Sequence, residues 1–189
     1  MTPLDAKAAG SAAGGPSFSL ANRLLRVVWS ISWLLLARWT PPPFHRWRAF
    51  VLRLFGARIG RGTRVYASVR IWLPANLDMG EQSVLGPRVR CYNQGKITIG
   101  DRATISQDAS LCASSHDLSD PDFQLLLRPI TIGNDAWIAA ESFVGPSVVV
   151  GEGAVLGARG VAVRDLSPWS VYGGNPAVLI KPRDYADRE

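Results

Sequence analysis

His116 stands in the run Leu-Cys-Ala-Ser-Ser-His-Asp-Leu-Ser (residues 111–119), and the chain holds one other histidine, His45. A neutral imidazole is the side chain best suited to taking a proton from a hydroxyl near pH 7. The residues around it do not form an evident Ser–His–Asp triad. A metal site would want more ligands than one histidine and scattered carboxylates. Two readings stay open on this evidence, a general base and a solvated loop histidine. Cys91 and Cys112 fit no zinc or redox spacing and read as reduced interior residues of a cytosolic protein.

The elements that must position His116 are legible from a six-residue period. Ile132, Ile138, Val144, Val150, Leu156 and Ala162 recur at every sixth position. Gly133, Gly145, Gly151 and Gly157 each follow one of them, and Ala139 follows a fifth. Four residues after each apolar position comes a compact one: Ala136, Ser142, Val148, Ala154 or Gly160. That period belongs to neither helix nor flat sheet and is the mark of a parallel β-helix. Each hexapeptide makes a short strand and a corner, three strands close a coil, and the every-sixth aliphatics stack inward. The glycines are expected to permit the corner turn without a Cβ penalty. Upstream, Ile59, Val65, Ile71 and Leu77 share one phase, and Ile99, Ile105 and Leu111 share another. Two insertions would account for the shifts. One lies within 78–98, where Pro87 and Tyr92–Gly95 read as turns; the other is a loop over 113–129 that carries His116. Insertions in a solenoid collect on one face and often hold the binding site.

The chain is 189 residues long and 47% apolar, enough for one domain with an appendage. Its net charge of +6 is uneven, since residues 1–58 carry eight Lys/Arg against Asp5 alone. Residues 1–17 are rich in Ala, Gly and Ser and read as disordered. Residues 18–56 read as two basic amphipathic helices separated by Pro41–Pro43. In the first, Leu24, Val28, Ile31 and Leu35 form one stripe, with Arg23, Arg26 and Ser30 on another. In the second, Phe44, Trp47, Val51 and Leu54 fall at helical spacing, with Arg46, Arg48 and Arg53 on its surface. The uncharged run Val27–Ala37 is well short of the roughly 20 residues that span a bilayer, and no signal-peptide cleavage site follows it. Two uses remain: lying on an anionic membrane surface, or packing on the solenoid or a neighbouring subunit. No groove-reading motif accompanies the charge, so nucleic acid is not an expected partner.

From about residue 57 to 183 the chain resembles the left-handed β-helix hexapeptide-repeat acyltransferases. The likeness rests on YNQGKITIGDRATISQDASLCASSHD (92–117), RPITIGNDAWIAAESFVGPSVVVGEGAVLGARGVAVRDL (128–166) and VYGGNPAVLIKPR (171–183). It is nearest the colanic-acid biosynthesis O-acetyltransferases, relatives of the maltose, galactoside and nodulation-factor enzymes, and the N-terminal FSLANRLLRVVWSISWLLLARW shares that likeness. The resemblance implies a mainly β fold, a left-handed parallel β-helix over 57–183 with an N-terminal helical segment and a short tail at 184–189. It also implies a homotrimer with active sites between subunits, acetyl-CoA as co-substrate, no metal, and a sugar or lipid-linked saccharide as acceptor. The location would be cytoplasmic, or peripheral on the inner face of the membrane.

By the same resemblance His116 is the general base, with the acceptor oxygen attacking the thioester directly. Asn93 falls near the acceptor-side polar residues, where it would orient the sugar or serve as a turn asparagine. Asp117 would orient the imidazole or solvate the loop, and Trp137 matches a tryptophan at the cleft. Ala139, Ala140, Gly157 and Ala158 would lie along the pantetheine arm. Some relatives have serine in place of Ala140, so no hydroxyl contact is carried over there. Arg164, Lys181 and Arg183 would meet coenzyme phosphates, and Asn175 would begin the turn that leads the tail back across the groove. Two other classes compete. A non-catalytic assembly or membrane-docking solenoid is one; a zinc carbonic anhydrase of the same fold needs three histidines per site and is excluded.

Overall fold

From Arg58 onward, strands of two or three residues alternate with tight corners and stack coil upon coil. The computed structural model describes residues 2–10 and 15–184. The strands form a parallel β-solenoid of about six turns with three faces. The first face carries Arg58–Ile59, Leu77–Met79, Ile97–Ile99, Ile130–Ile132 and Val149–Val150. The second carries Arg64–Val65, Val84–Leu85, Thr104–Ile105, Trp137–Ile138, Val155–Leu156 and Ser170–Gly173, closed by Val178–Pro182 running antiparallel. On the third are Arg70–Ile71, Arg90–Tyr92, Ser110–Cys112, Phe143–Val144 and Val161–Ala162. The six residues of the leading repeat, Ile132 through Ala162, are each at most 1% exposed, so the period does mark the inward column.

Upstream the column takes a different course from the one expected. Ile59 pairs with Met79 and Met79 with Ile99, so these coils advance by 20 residues, whereas Ile132 pairs with Val150, 18 residues on. Residues 78–98 are therefore a complete coil with Met79, Leu85 and Cys91 inward, not an insertion. The two extra residues per coil sit at the corner between the third and first faces, at the 3-10 turn Pro74–Asn76 and again before Ile97. Leu77 does not share the column of Ile59. It pairs with Ile97 in a second buried row. A methionine and a cysteine in place of aliphatics, together with the dilated corners, hid this coil from the period.

The glycines also act differently. Left-handed φ falls three residues after the column position, on Gln82, Arg102, Asp135, Glu141 and Arg159 among others. The glycines next to the column serve close approach instead. A Cβ on Gly100 would sit 2.6 Å from the amide nitrogen of Asn134, and one on Gly133 2.6 Å from that of Glu152. Coils cannot stack at that spacing with any side chain there. The left-handed corner residues gain partners across coils: Arg88 bonds both carboxylate oxygens of Asp108, and Arg102 both of Asp135.

Among the described residues, three helical segments precede the solenoid. α1 (Ala6–Ala9) is one turn inside the stretch expected to be disordered, and Gln124 ties it down through Ala6 N and the Leu4 carbonyl. The rest of that expectation, at residues 1 and 11–14, lies outside the described residues, as does most of the tail at 184–189.

α2 (Leu20–Leu36) buries Asn22, Trp29 and Trp33, the two tryptophans beside the third face. Trp29 Nε1 donates to the Ile71 carbonyl at 2.8 Å. The stripe Leu24, Val28, Ile31 and Leu35 points the other way, each residue more than half exposed.

In α3 (His45–Leu54), Val51 and Leu52 join the core. Arg48, expected on the surface, is wholly buried. Its guanidinium donates to the carbonyls of Val65, Pro41 and Pro42 and to Thr40 Oγ1, so one side chain closes the proline turn onto the first coil. A five-donor fork among carbonyls makes that burial tolerable. His45 lies against the same group; burial first, then the charges of Arg48 and Arg64, hold its pKa below the usual value.

Candidate active site

The protruding segment is an antiparallel hairpin, Ser114–His116 against Leu125–Leu127, that leaves the solenoid at the corner between the third and first faces. His116 is exposed on it, and Nδ1 lies 2.7 Å from the Phe123 carbonyl. A carbonyl oxygen only accepts, so Nδ1 carries the proton and the neutral ring keeps its lone pair on Nε2. The hairpin thus presents a proton acceptor in a set tautomer and orientation. Asp117 does not touch the imidazole. Its Oδ1 accepts from Ser119 N at 2.9 Å, and its own N donates to Gln124, which makes it the turn residue of the loop.

Asn93 is wholly buried. Its Oδ1 accepts from the amides of Trp72 and Leu73, and its Nδ2 donates to the Leu73 carbonyl at 2.6 Å. The side chain holds the dilated corner of the coil below, the role of a turn asparagine, and it is not exposed at the surface of a single copy.

The other candidates gather in two places. Ala139 and Ala140 stack under Gly157 and Ala158, eighteen residues on, at the corner between the second and third faces. The hairpin turn holding Asn175 lies above them, with Gly174 and Ala177 bonded to Val161. Trp137, half-exposed, donates from Nε1 to Ser106 Oγ at 2.9 Å on the second face. It shares a polar cavity of about 620 Å³ with Arg64, Arg102 and Arg183. Arg183 is anchored there on the carbonyls of Asp135 and Gly153. Lys181 is exposed on the returning strand, while Arg164 is exposed just after the strand Val161–Ala162 of the third face. Within one copy, the His116 hairpin and Trp137 lie on different sides of the solenoid.

No protein-family model matches this chain. Individual relatives do. Over 155 residues, 82% of this chain and 85% of the relative, it is 42% identical to the Escherichia coli K12 protein named "Putative colanic acid biosynthesis acetyltransferase WcaF". The chain belongs to the hexapeptide-repeat acetyltransferases. Solved structures agree on the fold. A maltose O-acetyltransferase from Clostridium difficile 630 superposes with a TM-score of 0.79 at 22% identity, over 88% of this chain and 90% of that one. The Vibrio cholerae acetyltransferase VCA0836, complexed with acetyl coenzyme A, gives 0.79 at 20% identity, over 88% and 91%. Among the described residues of this acetyltransferase, no group of His, Cys, Asp or Glu could hold a metal ion.

Two features of the acetyltransferase were not read from the sequence. The Phe123 carbonyl that sets the His116 tautomer is a backbone group seven residues away and carries no sequence signal. The arginine pair Arg70 and Arg90, in register on adjacent coils, becomes visible only once the 20-residue advance is known.

Proposed function

We propose that this acetyltransferase moves an acetyl group from acetyl-CoA to a hydroxyl of a sugar used in exopolysaccharide or lipid-linked oligosaccharide synthesis, with His116 as general base. The observation that carries the reading is the bond from His116 Nδ1 to the Phe123 carbonyl, which leaves Nε2 as the acceptor. In the reaction Nε2 takes the hydroxyl proton as the oxygen bonds to the thioester carbon. The C–S bond then breaks, and the imidazolium returns the proton to the coenzyme thiolate. Backbone N–H groups would stabilise the tetrahedral oxyanion. The small-residue corner at Ala139, Ala140, Gly157 and Ala158 suits the pantetheine arm, and Lys181, Arg183 and Arg164 are candidates for its phosphates. Trp137 lies away from the His116 hairpin in one copy, which supports a homotrimer whose sites close between subunits. Asp117 supports the hairpin and is not assigned to the acceptor.

Acetyl-CoA offered with free sugars and with sugars carried on a lipid phosphate should release thiol only when an acceptor is present. Neither binding nor consumption of acetyl-CoA would favour the docking solenoid instead.

No helix among the described residues is long and apolar enough to cross a membrane. Peripheral attachment is supported by the outward stripe of α2 and by the absence of any Asp or Glu between residues 6 and 77. Replacing Leu24, Ile31 and Leu35 by Glu should weaken sedimentation with phosphatidylglycerol vesicles at least tenfold while leaving the melting curve unchanged. Undiminished sedimentation would remove the membrane role.

A further inference from the structure

Arg70 and Arg90 sit directly in register on neighbouring strands of the third face, both exposed. Like charges placed so repel, and neither makes an ion pair among the described residues. Asp108, whose carboxylate senses Arg90, is already held through both oxygens by Arg88. This contrasts with the corner arginines Arg88 and Arg102, each stacked on a carboxylate. Two uncompensated guanidiniums side by side make a binding place for an anion with more than one charged oxygen.

These arginines line a cavity of about 670 Å³ between α2 and the third face, with Arg38 at the helix end. Most of its other lining is apolar, with Trp29, Trp33 and Leu34 from the helix and Trp72 and Phe143 from the solenoid, and Ser30 and Ser110 add hydroxyls. An apolar trough with a cationic side matches an amphiphile that has a chain and a phosphate or diphosphate head. Cys112 is also in the wall, and the chain runs from it into Ser114–His116. Four residues span at most about 13 Å, within the reach of a short saccharide.

We propose that this cavity binds the lipid anchor of the acceptor, its apolar chain among the tryptophans and its diphosphate on Arg70 and Arg90, so that the attached saccharide extends toward His116. The assignment rests on the acetyl-transfer reading and specifies the acceptor as a saccharide on a lipid diphosphate. The outward stripe of α2 would keep the cavity beside the membrane that holds such a lipid.

The test is binding of farnesyl diphosphate to the full chain without acetyl-CoA, so it does not depend on catalysis. Two readouts serve, tryptophan fluorescence and the rate at which iodoacetamide alkylates Cys112. Cys91 is an internal control, since complete burial pushes its thiol up to about 12 and keeps it from reacting. Farnesyl diphosphate should saturate the fluorescence change and slow Cys112 alkylation at least tenfold. The Arg70→Gln/Arg90→Gln variant should bind at least tenfold more weakly, while Arg58→Gln, an exposed arginine of the first face, should bind as wild type. Both changes are at exposed positions, so folding is not at stake. Equal protection by farnesol, by inorganic diphosphate or by phosphatidylglycerol vesicles would overturn the proposal. So would unchanged binding in the double variant, or Cys112 already shielded by a second copy in the assembled protein. The His116→Ala variant should bind the probe normally. Binding retained without acetyl transfer in the wild type would condemn the acetyl-transfer reading; transfer retained without binding would condemn the cavity assignment.

Discussion

Replacing His116 by Ala should lower the acceptor-dependent release of coenzyme thiol at least about 100-fold, the lower end of what a positioned general base contributes. Acetyl-CoA binding should stay within about twofold of wild type, because the assigned coenzyme contacts lie on the solenoid corner and not on the hairpin. The argument is geometric. The Phe123 carbonyl fixes the proton on Nδ1, so Nε2 faces outward with its lone pair. The adjacent carboxylate, Asp117, is engaged with Ser119. Added imidazole should restore part of the rate in the alanine variant, because a small base can occupy the vacated space. A merely structural histidine would show no such rescue. Full activity in His116→Ala would remove the general-base role and leave direct attack without a proton acceptor.

The second large effect concerns the column. Val150→Asp should abolish the cooperative melt or lower its midpoint by about 10–20 °C, measured by circular dichroism. Val150 is fully buried, paired with Ile132 and bridged to Leu166. An unpaired carboxylate there costs several kcal/mol, against a total stability of about 5–15 kcal/mol. The neighbouring substitution is the control. Val149 points outward on the same strand and is 45% exposed, so Val149→Asp should shift the midpoint by no more than a few degrees. Equal effects at the two positions would refute the alternation of faces that the fold requires.

The inward column from Ile132 to Ala162, the small residues that accompany it and the inserted loop carrying His116 were legible because each depends on a local rule, whereas the pairing of that loop as a hairpin came from the structure. A six-residue period requires no knowledge of what packs on what. That legibility failed where the rule was bent. Met79 and Cys91 replaced aliphatics, and two extra residues per coil moved the phase, so a whole coil read as an insertion. The family resemblance put Asn93 near the acceptor, with a turn asparagine as the alternative, and its amide is spent on the corner of the adjacent coil. Arg48 looked like a surface charge because carbonyls leave no mark in a sequence.

What the sequence determined by itself is therefore the architecture and its chemical resource: a solenoid of stacked hexapeptides, a single histidine on the loop that interrupts it, and a basic apolar arm in front. Only the tertiary structure decided how those parts are used. It set the His116 tautomer through a backbone carbonyl, turned the glycines to close coil approach and the tryptophans of α2 inward. It also stacked Arg70 on Arg90 beneath the helix. The physical reason is common to all of these. Periodicity is carried by side chains along the chain, whereas hydrogen-bond partners, burial and charge pairing are set by what the fold brings together, from seven residues apart across the His116 hairpin to 18 or 20 between stacked coils.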